Sequence, residues 1–292
     1  MHSPDGTRYR ATVHYDGSAF AGWQVQPHVR TVQGDVEAAL RRLDISGRVH
    51  GAGRTDAGVH AAGQELAFDA PPSWTATELS RALNSLLPSD IWIESLKETV
   101  PDFHPRFHAT GRRYEYYLAP GPTGRAPHRR RGTSWIAKTP DLEALRAGTR
   151  PILGRHSFER FAKSGQPVVG TVCTVEKAEW LRTPLGDFRF TIVADRFLHH
   201  MVRYLVATMV EQSAGLRPQD DIGRVMAGSE DVRPPGPAEA CGLSLTGVRY
   251  RMGWNRSPGV PGLWPTPANA DAGGRRFTDR DPMKEEESVE PT

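Results

Sequence analysis

Cysteine is almost absent: Cys173 and Cys241 are the two in 292 residues. Two thiols cannot staple a fold of this length, and such sparse use fits a reducing compartment, so a cytoplasmic location is expected. Long apolar runs are missing as well. No stretch approaches the roughly 20 residues that a membrane span requires. The opening Met1-His2-Ser3-Pro4-Asp5 carries no basic segment leading into an apolar core, which argues against a secretory signal. Metal and nucleotide signatures are lacking too. There is no Cys-x-x-Cys or His-Glu-x-x-His spacing, no Walker A loop and no Gly-x-Gly-x-x-Gly after a strand. His199 and His200 are adjacent; on a helix they point about 100° apart and cannot share a metal without distortion. No serine is framed as a nucleophile elbow. What remains as a reactive group is a carboxylate.

That carboxylate lies in Gly53-Arg54-Thr55-Asp56-Ala57-Gly58-Val59-His60-Ala61. Gly51, Gly53 and Gly58 let the backbone turn tightly and approach its neighbours closely. Strand-like sequence flanks it, Arg48 to His50 before and Gln64 to Phe68 after, so Arg54 and Asp56 are expected at the mouth of a sheet. A solvated turn with Asp56 capping an amide is the plain alternative for a shorter match.

Net charge is only +3, but its placement is uneven. From His104 to Arg131 run seven arginines against one carboxylate, Glu115. Phe103, Phe107, Tyr114, Tyr116 and Tyr117 are threaded through or beside them. Arginine forks onto phosphates and stacks on bases, as aromatic rings do, so Phe103, Arg106, Phe107, Arg112 and Arg113 are expected to contact a nucleic acid.

Two halves follow the same element order. Tyr9, Ala11, Val13 and Tyr15 alternate as a strand, and Thr31 caps a helix carrying Val32, Val36, Leu40 and Leu43. Thr77 opens a second helix with Leu79, Leu83 and Leu86, and Ile91 to Leu96 forms a strand. The second half repeats this with strands near 113–119, 172–182, 187–193 and 243–250, and helices near 140–153 and 198–209. The predicted class is α+β: two similar ferredoxin-like (RRM-like, βαββαβ) domains. The expected divisions are 1–108, 109–254 and a disordered tail, 255–292, rich in proline, glycine and charge.

The nine-residue segment around Asp56 resembles the signature of the TruA family of tRNA pseudouridine synthases. Tyr15 to Gln24, Phe103 to Ala109, Arg113 to Tyr116, Phe197 to Arg203 and Gly242 to Leu245 are similar to its other motifs, in family order. The resemblance implies that the two domains, in a pseudo-two-fold arrangement, meet with a cleft between them. It also implies that the protein is a homodimer that isomerises uridine to pseudouridine at positions 38 to 40 of the tRNA anticodon stem-loop, without metal or organic cofactor. It implies Asp56 as nucleophile, with attack on the base, attack on the sugar and glycal elimination all open. Arg54 would fill the space of a flipped base. Arg203 would pair with Asp56 and aim it. Tyr114 would stack on the uracil and is a candidate for removing the C5 proton, while Leu243 or Leu245 would pack against the base. Cys173 stands where the family pattern leads one to expect an arginine, so RNA contacts on that side are expected to differ. A non-catalytic pair of RRM-like units lacks its aromatic strand motif here, and a hydrolase would need a second carboxylate near Asp56.

Overall fold

Nine residues that alternate along Thr7–Tyr15 form β1, and Tyr9, Ala11, Val13 and Tyr15 point into the core with at most 3% exposure. In the computed structural model, residues 6–163, 170–251 and 253–255 are described. The Thr31 hydroxyl accepts from the Gly34 N–H and starts α1, Val32–Arg41. A two-residue strand β2, His50–Gly51, precedes β3, His60–Ala70. The extended stretch expected from Arg48 is therefore shorter than predicted. Helix α2, Ala76–Leu86, starts one residue before the expected Thr77, because Thr75 and Glu78 close a reciprocal cap. Strand β4, Ile91–Glu98, completes the first half.

The second half contains β5 (Gly111–Pro120), β6 (Ser134–Ile136), α3 (Leu142–Thr149), β7 (Gly154–Ser157), β8 (Val172–Arg182) and β9 (Phe188–Ala194). Helices α4 (Met201–Ser213) and α5 (Asp221–Met226) follow, then β10 (Leu243–Tyr250) and β11 (Gly253–Asn255). Asn255, counted with the tail from sequence, thus closes a short strand; the rest of the expected tail lies outside the described residues.

The fold is α+β with a mostly antiparallel sheet. Its strands run β4-β1-β3-β10-β5-β9-β8-β7, with β2 on β3, β6 on β5 and β11 on β10. With the short strands β6, β7 and β11 set aside, the order within each half is the same: last strand, first, third, second, as β4-β1-β3-β2 and β10-β5-β9-β8. The halves meet where β10 lies parallel to β3, through Ser244 opposite His60 and Leu245 opposite Ala61. The helices supply Val32, Val36, Leu79, Leu83, Leu145, Leu205 and Met209 to one core shared by both halves. The reverse face carries a smaller cluster of Ala52, Ala67, Phe103, Val248 and Tyr250. Among the described residues no helix is long and apolar enough to cross a membrane.

Candidate active site

Asp56 is held in the loop between β2 and β3, and a second segment braces that loop. Gly22 has φ +101°, and a Cβ there would lie 2.7 Å from the Thr55 carbonyl oxygen, an approach that only glycine permits. The Trp23 N–H donates to Thr55 O at 3.1 Å, and the Gly58 N–H donates to Phe20 O at 3.3 Å. The Tyr15 hydroxyl lies 2.8 Å from Thr55 Oγ1. From the other side, Gln64 Nε2 donates to Gly53 O at 2.8 Å and Arg112 Nη2 to Ala52 O at 3.0 Å. The run Tyr15 to Trp23 therefore serves as a clamp on the Asp56 loop.

The second half meets Asp56 from the start of α4. His199 Nε2 lies 3.1 Å from Oδ1, His200 Nε2 lies 3.5 Å from Oδ2, and Arg203 Nη1 lies 3.7 Å from Oδ2. The expectation that the two histidines diverge on a helix is corrected. His199 precedes α4, and His200 caps it with left-handed backbone, φ 64°. That reversal turns both rings to one side, their centroids 4.2 Å apart. Asp56, His200 and Arg203 are 14%, 17% and 14% exposed, and His199 is 37% exposed. Burial holds the His200 imidazole below its usual range, with Asp56 opposing that shift. Arg203 Nε also donates to Ala238 O at 2.7 Å, which fixes the guanidinium from its far side.

Tyr114 is buried edge-on against Phe197, at 5.0 Å between ring centroids. Burial first, then the nearby Tyr15 and Asp56, pushes its phenol well above the ordinary range. It stays protonated at neutral pH, so it suits stacking and hydrogen-bond donation better than proton removal. Leu243 and Leu245 follow on β10 with 5% and 0% exposure, and Leu245 is registered opposite Tyr114.

The remaining predicted contacts divide. Arg54 is exposed beside Asp56, and Arg106 and Phe107 are exposed on the loop after β4, Phe107 at 75%. Phe103 instead packs in the reverse-face cluster, 5.3 Å from the Tyr250 ring. Arg112 is largely buried and directs its donors to the carbonyls of Ala52, Arg106, Ala109 and Asp195. Arg113 pairs with Glu115, Arg129 with Asp187 and Arg130 with Glu239. Cys173 is fully buried and offers nothing to a surface.

Chemically, the arrangement is a half-buried carboxylate faced by three cationic or protonatable groups, with an aromatic wall and an exposed arginine alongside. Two surface hollows of about 300 Å³, one beside Asp44 and Asp69 and one beside Gln24 and Glu37, lie away from it. The sequence showed His199 and His200 as neighbours within a family-like motif but set them apart on a helix, for nothing in the residue types signals the left-handed backbone that brings both to Asp56.

Comparison with known proteins places the chain in a family. Residues 11–108 and 150–251 match the model of the tRNA pseudouridine synthase family. The tRNA pseudouridine synthase A of Lacticaseibacillus casei (strain BL23) is 39% identical, over 84% of this chain and 100% of its own. That of Chlorobaculum tepidum is 40% identical, over 82% of this chain and 96% of its own. A chain of the crystal structure of a Cbf5-Nop10-Gar1 complex superposes at a TM-score of 0.36 and 12% identity, covering 82% of this chain and 49% of that one. The extent and level of these sequence matches lead to one conclusion: the chain belongs to the tRNA pseudouridine synthase family.

Proposed function

We propose that the protein isomerises uridine to pseudouridine in tRNA, at positions 38 to 40 of the anticodon stem-loop, with Asp56 as nucleophile. The observation that carries this reading is the meeting of Asp56 from one half with Arg203 from the other, 3.7 Å apart. Isomerisation breaks the N1–C1′ bond, turns the uracil, joins C5 to C1′, and moves a proton from C5 to solvent while N1 gains one. Atoms balance with no external reactant. By attack on the base, attack on the sugar or elimination to a glycal, the carboxylate must be aimed at the reacting nucleotide, and the neighbouring guanidinium is suited to aim it.

A stacked uridine has to leave its helix, at a cost of roughly a few kcal/mol. Exposed Arg54 is suited to fill the vacated space. Tyr114 offers its ring and hydroxyl to the uracil, and Leu243 and Leu245 form the apolar floor. Arg106 and Phe107 are suited to phosphate and base contacts beyond the reacting nucleotide. A non-catalytic RNA-binding module would leave Asp56 and its partners without purpose.

The same reading takes 1–108 and 109–254 as two ferredoxin-like domains with a pseudo-two-fold relation, acting as a homodimer in the cytoplasm. The repeated strand order supports the two-domain part of this reading. The seam departs from two-fold symmetry, since the third strand of one half pairs with the last strand of the other.

The test is Asp56→Asn, assayed on unmodified tRNA by pseudouridine formation and by binding. An amide is neither anion nor nucleophile, so product should vanish while affinity persists. Turnover at the wild-type rate would overturn the assignment.

A further inference from the structure

We infer that Asp56, His199 and His200 form a binding site for a divalent transition cation, Zn²⁺ being the type, and that a cation bound there withdraws the nucleophile. Among the described residues this trio brings one carboxylate oxygen and two imidazole nitrogens within 4.8 Å of one another. Two imidazoles and a carboxylate are a ligand set that zinc takes readily, leaving a fourth position for water. With metal–ligand bonds of 2.0 to 2.1 Å, tetrahedral ligands stand about 3.3 Å apart. His199 Nε2 lies 3.1 Å from Oδ1 and His200 Nε2 lies 3.5 Å from Oδ2, so each imidazole already stands near that spacing from one of the two carboxylate oxygens, and a small rotation of the carboxylate would let one oxygen serve both.

Both nitrogens facing the carboxylate are Nε2, and the left-handed backbone at His200 is what brings the rings to the same side. Entry is open, because His199 is 37% exposed. Arg203 is the opposing group. Its Nη1 stands 3.7 Å from Oδ2, and its positive charge weakens the site relative to a structural zinc centre. Its bond to Ala238 O holds it on the far side, and Oδ1, which faces His199, is not the oxygen that Arg203 faces. The donor set also selects among cations. Mg²⁺, which accompanies RNA, prefers oxygen ligands and keeps its waters, so two imidazoles discriminate against it. The consequence is reversible inhibition by Zn²⁺ and tolerance of Mg²⁺.

The inhibition half rests on the proposed reaction, whereas the binding half does not. The experiment therefore reads both on full-length, untagged, metal-free protein. Co²⁺ is titrated by visible absorption and Zn²⁺ by calorimetry, for wild type, His199→Ala and His200→Asn. Asparagine tolerates the left-handed backbone, and thermal melts verify that each variant is folded. Loss of even an outer-shell partner weakens a metal site about 10- to 100-fold, so each variant should weaken one binding event at least tenfold. Identical isotherms for all three proteins, or no binding at roughly 1 mM cation, would overturn the site. In the activity arm, Zn²⁺ should inhibit the wild type in step with its binding isotherm, and Mg²⁺ should not. Full turnover with Zn²⁺ saturating would overturn the inhibitory role. Zinc binding that depends on both histidines, in a protein that makes no pseudouridine, would sink the proposed reaction and leave the site standing.

Discussion

Arg203 reaches Asp56 without a direct hydrogen bond: Nη1 and Oδ2 are 3.7 Å apart, while the same guanidinium donates to Ala238 O at 2.7 Å. One planar group thus steadies a backbone carbonyl and presents charge to the carboxylate. A lysine ammonium is a point charge and cannot do both. Arg203→Lys should lower single-turnover pseudouridine formation about a hundredfold, the scale of a 1 Å misplacement of a reacting group. Affinity for tRNA should change little. Rapid-quench rates and binding isotherms measured together would separate the two effects.

Gly22→Ala should disturb the same carboxylate from behind. Its methyl group would fall 2.7 Å from Thr55 O, on backbone at φ +101° that side chains rarely adopt. The combined strain is about 1 to 3 kcal/mol. Urea denaturation should register that loss. Turnover should fall too, because Thr55 and Asp56 are neighbours on the displaced loop.

Arg112 and Arg106 should behave oppositely. Arg112→Met removes the donors to four backbone carbonyls in a partly buried setting, which should cost on the order of 2 kcal/mol of stability. Arg106→Ala, on an exposed side chain, should leave the melting temperature alone. It should reduce the slope of log affinity for tRNA against log salt by about 0.7 to 0.9. An unchanged slope in Arg106→Ala would remove it from the RNA contact.

Acid should weaken the fold in part through Asp16. The His60 imidazole, 3.2 Å away, and then the Ser18 hydroxyl and N–H hold its carboxyl well below the usual carboxylate range. The folded-state value lies below the unfolded one, near 4, so the contribution is fully present above about pH 4. It is lost as pH falls further, through the folded-state value. Asp16→Asn should therefore be less stable than wild type at neutral pH, and the gap should narrow on acidification. Denaturation midpoints across that window measure it.

Much of this molecule was legible from local chemistry. The Thr31 cap, the alternation from Tyr9 to Tyr15 and the glycine-rich run around Asp56 each depend on residues a few positions apart. What escaped the sequence depends on distant partners or on rare backbone. Arg129 and Arg130 look like part of a free basic stripe until Asp187 and Glu239 arrive from far along the chain to pair with them. Arg112 reads as a phosphate ligand, yet its carbonyl partners include Ala52 and Asp195, one from each half. The convergence of His199 and His200 depends on a single left-handed residue, and histidine adopts that region too seldom for its position to be read in advance.

The pairing of β10 with β3 also sets an order of events during synthesis. The strand that closes the middle of the sheet, Leu243–Tyr250, is made last among the long strands described. Roughly 170 residues separate it from β3, which at about 5 to 20 residues per second is roughly 10 to 35 s on the ribosome. Once α2 and β4 have been made, the first half has all its own strands and helices, while Arg203 and then Leu243 and Leu245 have still to arrive. A nascent chain therefore carries Asp56 without its partners from the second half until most of its described residues have been made.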